Sequence, residues 1–521
     1  MAALAMMTAA CSNDDNDLTQ QPAKAEGIPF TATISIGGDK ASNRALAEDG
    51  NTLVATWAEG DKVALIHDGV KDEMEVASVS AGVATITGTI TSATDGADVT
   101  VIYPATAADG ATGKVKAGLL AAQDGTLATI AAKYDVRKGT GKLQVSGDPA
   151  VASLNGNVSL NNQFAIWKLT LNNSAKDLYI TAGGELIAGA TLASPGTEFT
   201  VAVPSVSSKT VAVVATDGSS NCWSYSKASV SLVVGSYYRS SPTMTALDED
   251  NSKPLYKITG TVDGQTIGDG KTVVLSGVTI SGGSITCSGN ANIILMGSNS
   301  VTAAANTAAI KIGGSSTTLT ITGSGSLTVK GGSQAAAIGT GYANNASVAG
   351  GNIEINGGTI TATGGQSSAA IGTGYAYQNG SNECGAITIN GGTVTAYGGY
   401  AGIGTGGANQ SSSNECGAIT INGGTVTATG GQRSAAIGTG YANNSGSNKC
   451  GTITISTGVT SVTATMGNRS PNSIGKGFAA NNGTQTCGTI TIGGTIYWDG
   501  SDYQNDGEAY LGSNITYPTA P

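Results

Sequence analysis

Cys384-Gly-Ala-Ile-Thr-Ile-Asn-Gly-Gly-Thr-Val-Thr-Ala396 decides the fold. Ile387 and Ile389 alternate with Thr388 and Asn390, so in an extended chain the two isoleucines point to one face. At Gly391-Gly392 the chain turns, because glycine reaches backbone angles that other residues avoid. Val394 and Ala396 then point inward, and Thr393 and Thr395 outward. The block returns at Cys416 and, less fully, at Cys450 and Cys487. An earlier version runs from Asn352 to Ala362. A second block, Ala337-Ile338-Gly339-Thr340-Gly341-Tyr342, interleaves with the first. It recurs around Ile371, Ile403, Ile437 and, in worn form, Ile474, at spacings of 33, 32, 34 and 37 residues.

A period of this length, built of short β segments and glycine corners, predicts a parallel β-solenoid. Three short strands form one coil, and successive coils pair at about 4.8 Å, so like residues stack into columns. No coil buries its apolar face alone; the stack is the stable unit. Shorter coils are expected around Val273 to Ile280, Ile293 to Leu295 and Leu319 to Thr322, and the aromatic end from Ile496-Tyr497-Trp498 is expected to cap the stack. The solenoid then occupies residues 256–521. A charged, proline-ended segment at 248–255 (Asp248 to Pro254 and Leu255) separates it from what precedes.

Residues 28 to 247 carry short alternating apolar runs with turns between them, such as Phe30 to Ile36, Lys62 to Ile66, Val99 to Tyr103, Ile166 to Leu171 and Thr210 to Val214. This pattern predicts antiparallel sandwiches, divided as 28–150 and 151–247. The expected class is all-β: β-sandwich domains followed by a right-handed parallel β-helix. Residues 1–11 end in Thr8-Ala9-Ala10-Cys11, which reads as the tail of a lipoprotein signal with Cys11 as the lipidated residue. The acidic, polar stretch 12–27 reads as a tether. Ser12-Asn13-Asp14-Asp15-Asn16-Asp17 resembles the acidic tag of Bacteroidetes surface lipoproteins, which implies a surface-exposed lipoprotein anchored to the outer membrane by its lipid.

Composition narrows the function. A net charge of −10 with no basic patch argues against nucleic acid. From Gly270 to Trp498 there is no Asp, and the only Glu residues are Glu354, Glu383 and Glu415. A polysaccharide hydrolase needs two carboxylates and a lyase needs a cation or carboxylate cluster, so a non-catalytic solenoid is expected. No cofactor is expected. No zinc site is expected either, since the cysteines have no Cys-x-x-Cys spacing or histidine partner. His67, the single histidine, reads as structural or exposed.

Two further resemblances add to this. Arg44-Ala45-Leu46, Thr56-Trp57-Ala58-Glu59-Gly60-Asp61-Lys62-Val63 and Val101-Ile102-Tyr103-Pro104 resemble the fimbrillin family of Bacteroidales pilus proteins. That resemblance implies two transthyretin-like sandwiches, proteolytic processing after Arg44, and other fimbrillin subunits as partners through β-strand addition. Arg44 is otherwise an ordinary loop residue after a first strand. The solenoid repeat resembles β-helix carbohydrate-binding modules of bacterial surface proteins. This implies a polysaccharide, or a host or microbial surface glycan, as ligand.

Two columns stand out as candidate sites. Tyr342, Tyr375, Tyr441 and Phe478 hold one repeat position, which Gly407 interrupts; they form either a platform for sugar rings or a seal beneath the Asn/Ser-rich loops. Cys384, Cys416, Cys450 and Cys487 hold another, as disulfides or as a thiol ladder. The expected function is a cell-surface protein displaying an adhesive, glycan-binding β-helix. A structural fimbrial subunit, with the solenoid as spacer or cap, is the alternative.

Overall fold

The computed structural model describes residues 27–36, 47–49, 52–54, 56–116 and 118–518. Cys11 and Arg44 lie outside the described residues. The chain is almost entirely β-structure, in two sandwich modules and a parallel solenoid. Among the described residues no helix is long and apolar enough to cross a membrane.

The first module is a sheet closed on itself. The Ile28–Ile36 strand runs antiparallel to Val83–Ile90 on one side. On the other it runs parallel to Val151–Leu154 and Val158–Asn162. Those two strands pair in turn with Arg137–Ser146, which completes the ring through Asp98–Tyr103. The module therefore extends to Asn162, and the division expected at residue 150 moves. Ala152, Val158 and Leu160 are buried in the first core, so the two short strands cannot belong to the second. The resembling segments meet here. Trp57 is buried and packs edge-on against Tyr103, with ring centroids 5.0 Å apart. Asp61 Oδ2 accepts from Ala58 N–H at 3.0 Å, which fixes the turn that delivers Trp57. His67 is buried against Asp72, with Nε2 2.9 Å from Oδ2.

In the second module, Ala165–Ala182 and Glu185–Val203 form a long hairpin turned at Gly183-Gly184. Val206–Thr216 and Cys222–Leu232 extend it, and Tyr237–Ser240 pairs in parallel with the start of the hairpin.

The solenoid begins at Leu255. Its strands pair in parallel and in register: Ile353, Ile387, Ile419, Ile453 and Ile490 form one column, and Ile360, Val394, Val426 and Val462 the next. All are at most 2 % exposed, and an isoleucine or valine so buried is worth about 1.5–3 kcal/mol. The early coils have three ladders. From Ala343 to Gly475 each coil has five, not the three expected throughout. The Asn/Ser-rich segments carry two further ladders of their own, Ala376–Tyr377 with Ala408–Asn409, and Ser381–Cys384 with Ser413–Cys416. These strands are only two to four residues long, too short for alternation to reveal.

Gly-Thr-Gly is a corner device. Gly404 has φ 130°, and a Cβ there would come within 1.9 Å of Gly438 O. Thr340, Thr373, Thr405 and Thr439 are buried, and each hydroxyl accepts the N–H of the glycine one coil on, at 2.8–3.0 Å. The far end of the stack is closed by a change of direction. Thr495–Trp498 folds back antiparallel on Ile490–Ile492, a short helix follows at Gly507–Leu511, and Trp498 and Leu511 are buried.

The second module packs on the flank of the first coils. Tyr179, Val214, Cys222 and Leu247 form one apolar cluster with Val274, Ile294 and Met296. Polar ties reinforce it: Asn292 Nδ2 donates to Gly184 O at 2.6 Å, and Ser324 Oγ to Asp177 Oδ2 at 2.7 Å. Further along, Lys116, Leu119 and Phe164 share a cleft with Glu354 and Asn356. The 248–255 segment folds back on the first coil, with Lys257 N–H donating to Asp248 O and Lys271 Nζ to Asn251 O. The sandwiches thus lie beside the flank that carries the Asn356, Asn390 and Asn422 corner.

Candidate functional site

A different flank, past the Ile-Gly-Thr-Gly corner, carries the aromatic column. Alanines buried at 343, 376, 408 and 442 fix the strand that follows, so the residue before each stands at the edge of the coil. Tyr342 and Tyr375 stack at 5.9 Å with an interplanar angle of 6°, and Tyr441 and Phe478 at 6.2 Å and 17°. The interruption at Gly407 is filled. A Cβ there would come within 2.4 Å of Tyr400 Cε2, because the Tyr400 ring swings in from the preceding corner. Tyr400 also reaches Tyr441, at 5.9 Å, and Tyr377 stacks beside Tyr375 at 5.9 Å. The row thus runs over five coils. Tyr342, Tyr375, Tyr400 and Tyr441 are half-buried, and Phe478 is 36 % exposed.

Polar groups hold the row in place. Asn409 Nδ2 donates to Tyr375 Oη at 3.2 Å, and Arg433 Nη1 donates to Tyr441 Oη at 3.0 Å. The Arg433 guanidinium lies over Tyr441 and Phe478, at 5.0 and 5.9 Å from the ring centroids. Underneath, the buried amides of Asn382 and Asn414 and the partly buried amide of Gln485 donate to the carbonyls of Tyr375, Gly407 and Phe478 at 2.7–3.1 Å. Burial pushes the Tyr375 and Tyr400 phenols above their ordinary value, so both are neutral at physiological pH. Half-buried rings with fixed hydroxyls and amides around them suit a sugar, which offers both C–H faces and hydroxyls.

The cysteine column is inside. Cys384, Cys416, Cys450 and Cys487 pair in register and are buried, unbridged thiols. Neighbouring thiols and burial push Cys384 well above the ordinary thiol range. The solenoid's glutamates are exposed or partly exposed. Glu383 and Glu415 stack in register with Lys449, which pairs with Glu415 at 2.7 Å; Glu354 accepts from Asn390 Nδ2 at 3.1 Å. Among the described residues no three metal-ligating groups converge on a point.

Sequence reasoning missed Tyr400, Tyr377 and Arg433. A signal existed for the first: the one repeat without an aromatic at the column position, Gly407, is the one with an extra tyrosine seven residues earlier.

A beta helix repeat model matches residues 353–375, 387–407 and 419–441. The three matches run from the first isoleucine of a coil to the aromatic-column position. No curated protein is significantly similar to the chain. Among solved structures, a fimbrial protein from Bacteroides ovatus is similar at 15 % identity, over 41 % of this chain and 48 % of that one, with a TM-score of 0.24. A proposed cell adhesion protein from Bacteroides uniformis is similar at 12 % identity, over 43 % of this chain and 98 % of its own, with a TM-score of 0.23. With scores this low the superpositions stay partial, and the fold stands on the strand pairing itself.

Proposed function

We propose that this chain is a non-catalytic adhesive protein of the cell surface whose solenoid binds polysaccharide along the Tyr342 to Phe478 row. The observation that carries this reading is the continuity of the row. The ring missing at Gly407 is supplied by Tyr400, so five successive coils present an aromatic group at one edge. Sealing the coil would not need that continuity, since the alanines and asparagines beneath already close it. Glu415 is paired with Lys449 and Glu354 accepts from Asn390, which favours binding over hydrolysis. Lipidation of Cys11 and attachment to the outer membrane belong to the same reading and rest on Thr8-Ala9-Ala10-Cys11. The test is retention of the full chain on immobilised polysaccharides, compared with a Tyr342→Ala/Tyr375→Ala variant. Loss of retention in the variant supports the reading; equal retention sinks it.

One observation favours a second reading, a fimbrial subunit. Among the described residues, the Cys222–Leu232 strand pairs beyond Ser224 with Val206–Thr216 alone, and Tyr237–Ser240 pairs with the start of Ala165–Ala182. Between them lies a cleft of about 370 Å³ lined by Trp167, Val211, Val213, Val230, Leu232 and Tyr238. An extended strand from another fimbrillin subunit would add there. Processing at Arg44 would act on the first module instead, by freeing Ile28–Ile36 from the closed sheet. Co-purification of the chain with pilus subunits, abolished by Val230→Asp, is the result this reading requires.

A further inference from the structure

The aromatic row changes chemistry along the solenoid axis. At its Tyr342 end the neighbouring groups are neutral: Tyr375, Tyr377 and the Asn409 amide. At its Phe478 end they are cationic. Arg433 and Arg469 both take the left-handed turn conformation, with φ 66° and 68°. They are also equivalent positions of adjacent coils, because Thr429 pairs with Thr465 and each arginine follows four residues later. At the same distance from the paired strand residue the preceding coils hold Asn306, Gln334, Ser367 and Ala401, none of them charged. Between Cys416 and Trp498 there is no Asp or Glu, and the cations are Arg433, Lys449, Arg469 and Lys476. Two of these are occupied: Lys449 pairs with Glu415, and Lys476 lies 3.9 Å over the Trp498 ring. Arg433 and Arg469 have no carboxylate partner among the described residues.

We propose that this end of the row is a subsite for an anionic substituent, carboxylate or sulfate, on an acidic polysaccharide, with Arg433 and Arg469 as the recognising cations. The proposal rests on the reading of the row as a glycan platform and names the class of glycan. Arg433 is held by the Tyr441 hydroxyl and by two aromatic rings, so little side-chain freedom remains to be lost on binding. A planar guanidinium beside a ring that receives the sugar matches a carboxylate or sulfate carried on that sugar. Arg469, exposed and one coil on, stands about 4.8 Å further along the axis, within reach of the same substituent or its neighbour. The net charge of −10 makes general attraction of polyanions an inadequate account, since the rest of the surface repels them.

Three polymers with one backbone isolate the charge: dextran, carboxymethyl-dextran and dextran sulfate, tested against the full chain by affinity electrophoresis. At low salt at least one charged polymer binds about tenfold tighter than dextran, a preference that weakens at high salt. Which one identifies the substituent. Arg433→Gln/Arg469→Gln lowers the charged polymer to the dextran level, whereas Tyr342→Ala/Tyr375→Ala weakens all that bind. If the double arginine variant misfolds by circular dichroism, the exposed Arg469→Gln alone must still reduce the preference. Equal binding of all three polymers, absence of binding to both charged ones, or a preference that survives loss of the arginines overturns the inference. So does equal binding of inorganic polyphosphate. Failure of the platform reading itself looks different: Tyr342→Ala/Tyr375→Ala then leaves retention on every polysaccharide unchanged.

Discussion

The ring of Tyr400 occupies the space that a side chain at Gly407 would need, with Tyr400 Cε2 2.4 Å and Cδ2 2.8 Å from an ideal Cβ at that position. The two residues are one unit, a missing aromatic and its replacement. Gly407→Ala alone is predicted to destabilise the solenoid by about 1–3 kcal/mol, as overpacking does. In a Tyr400→Ala background the same change costs much less. The non-additivity, read from denaturation midpoints in a double-mutant cycle, measures the contact. Additive effects would mean that the ring does not fill the gap.

The threonine ladder makes a second prediction. Thr373 Oγ1 accepts from Gly406 N–H at 2.9 Å in a fully buried corner. Thr373→Val keeps the shape and removes the acceptor, which strands a buried donor at a cost of about 1–3 kcal/mol. Thr373→Ser restores the acceptor and most of the stability. Amide hydrogen exchange at Gly406, faster in the valine variant alone, assigns the loss to that bond.

The joint between modules turns on Asp177. Its carboxylate accepts the hydroxyls of Thr191, Thr216 and Ser324 at 2.7–3.0 Å, and the last belongs to the solenoid. Ser324→Ala removes only the tie between modules. It is expected to hasten proteolytic nicking between Asp248 and Pro254 while leaving the solenoid's thermal midpoint within about 1 °C. Asp177→Ala, which also strands two hydroxyls inside the second module, lowers that module's own midpoint.

The thiols set an alkaline limit. Burial pushes Cys287 up to about 12. A group raised on folding stabilises fully below its unfolded pKa, and the contribution is lost as pH rises through the folded value. Solenoid stability should therefore fall between about pH 9 and pH 12, and less steeply in Cys287→Val. At pH 8 the thiols at 287, 384, 416 and 450 should resist iodoacetamide until the chain is unfolded. Rapid native alkylation at any of them would contradict their burial.

The solenoid was legible because stacking forces repetition. Ile387 must lie over Ile419, so the period is written in the sequence. The two extra ladders were not, since Ala376-Tyr377 and Ala408-Asn409 are too short to alternate and their pairing comes from the coils already stacked beneath them. The boundary at 150 failed for a related reason. Val151–Leu154 and Val158–Asn162 are claimed by a sheet whose first strand lies over a hundred residues earlier, and no local pattern records that. The aromatic column was visible as a repeat position. Its completion by Tyr400 and its pairing with Arg433 were not, because both come from a different corner of the coil and meet the column only in three dimensions.

The most direct test of the central claim is quantitative binding of the full chain to a polysaccharide panel, beside a variant carrying Tyr342→Ala, Tyr375→Ala and Tyr441→Ala. Stacking contacts of about 0.5–1.5 kcal/mol each predict a loss of about tenfold or more in affinity, with the thermal midpoint of the solenoid little changed. A row that binds glycan gives that loss; undiminished affinity in the triple variant, or no polysaccharide retained by the native chain, contradicts it.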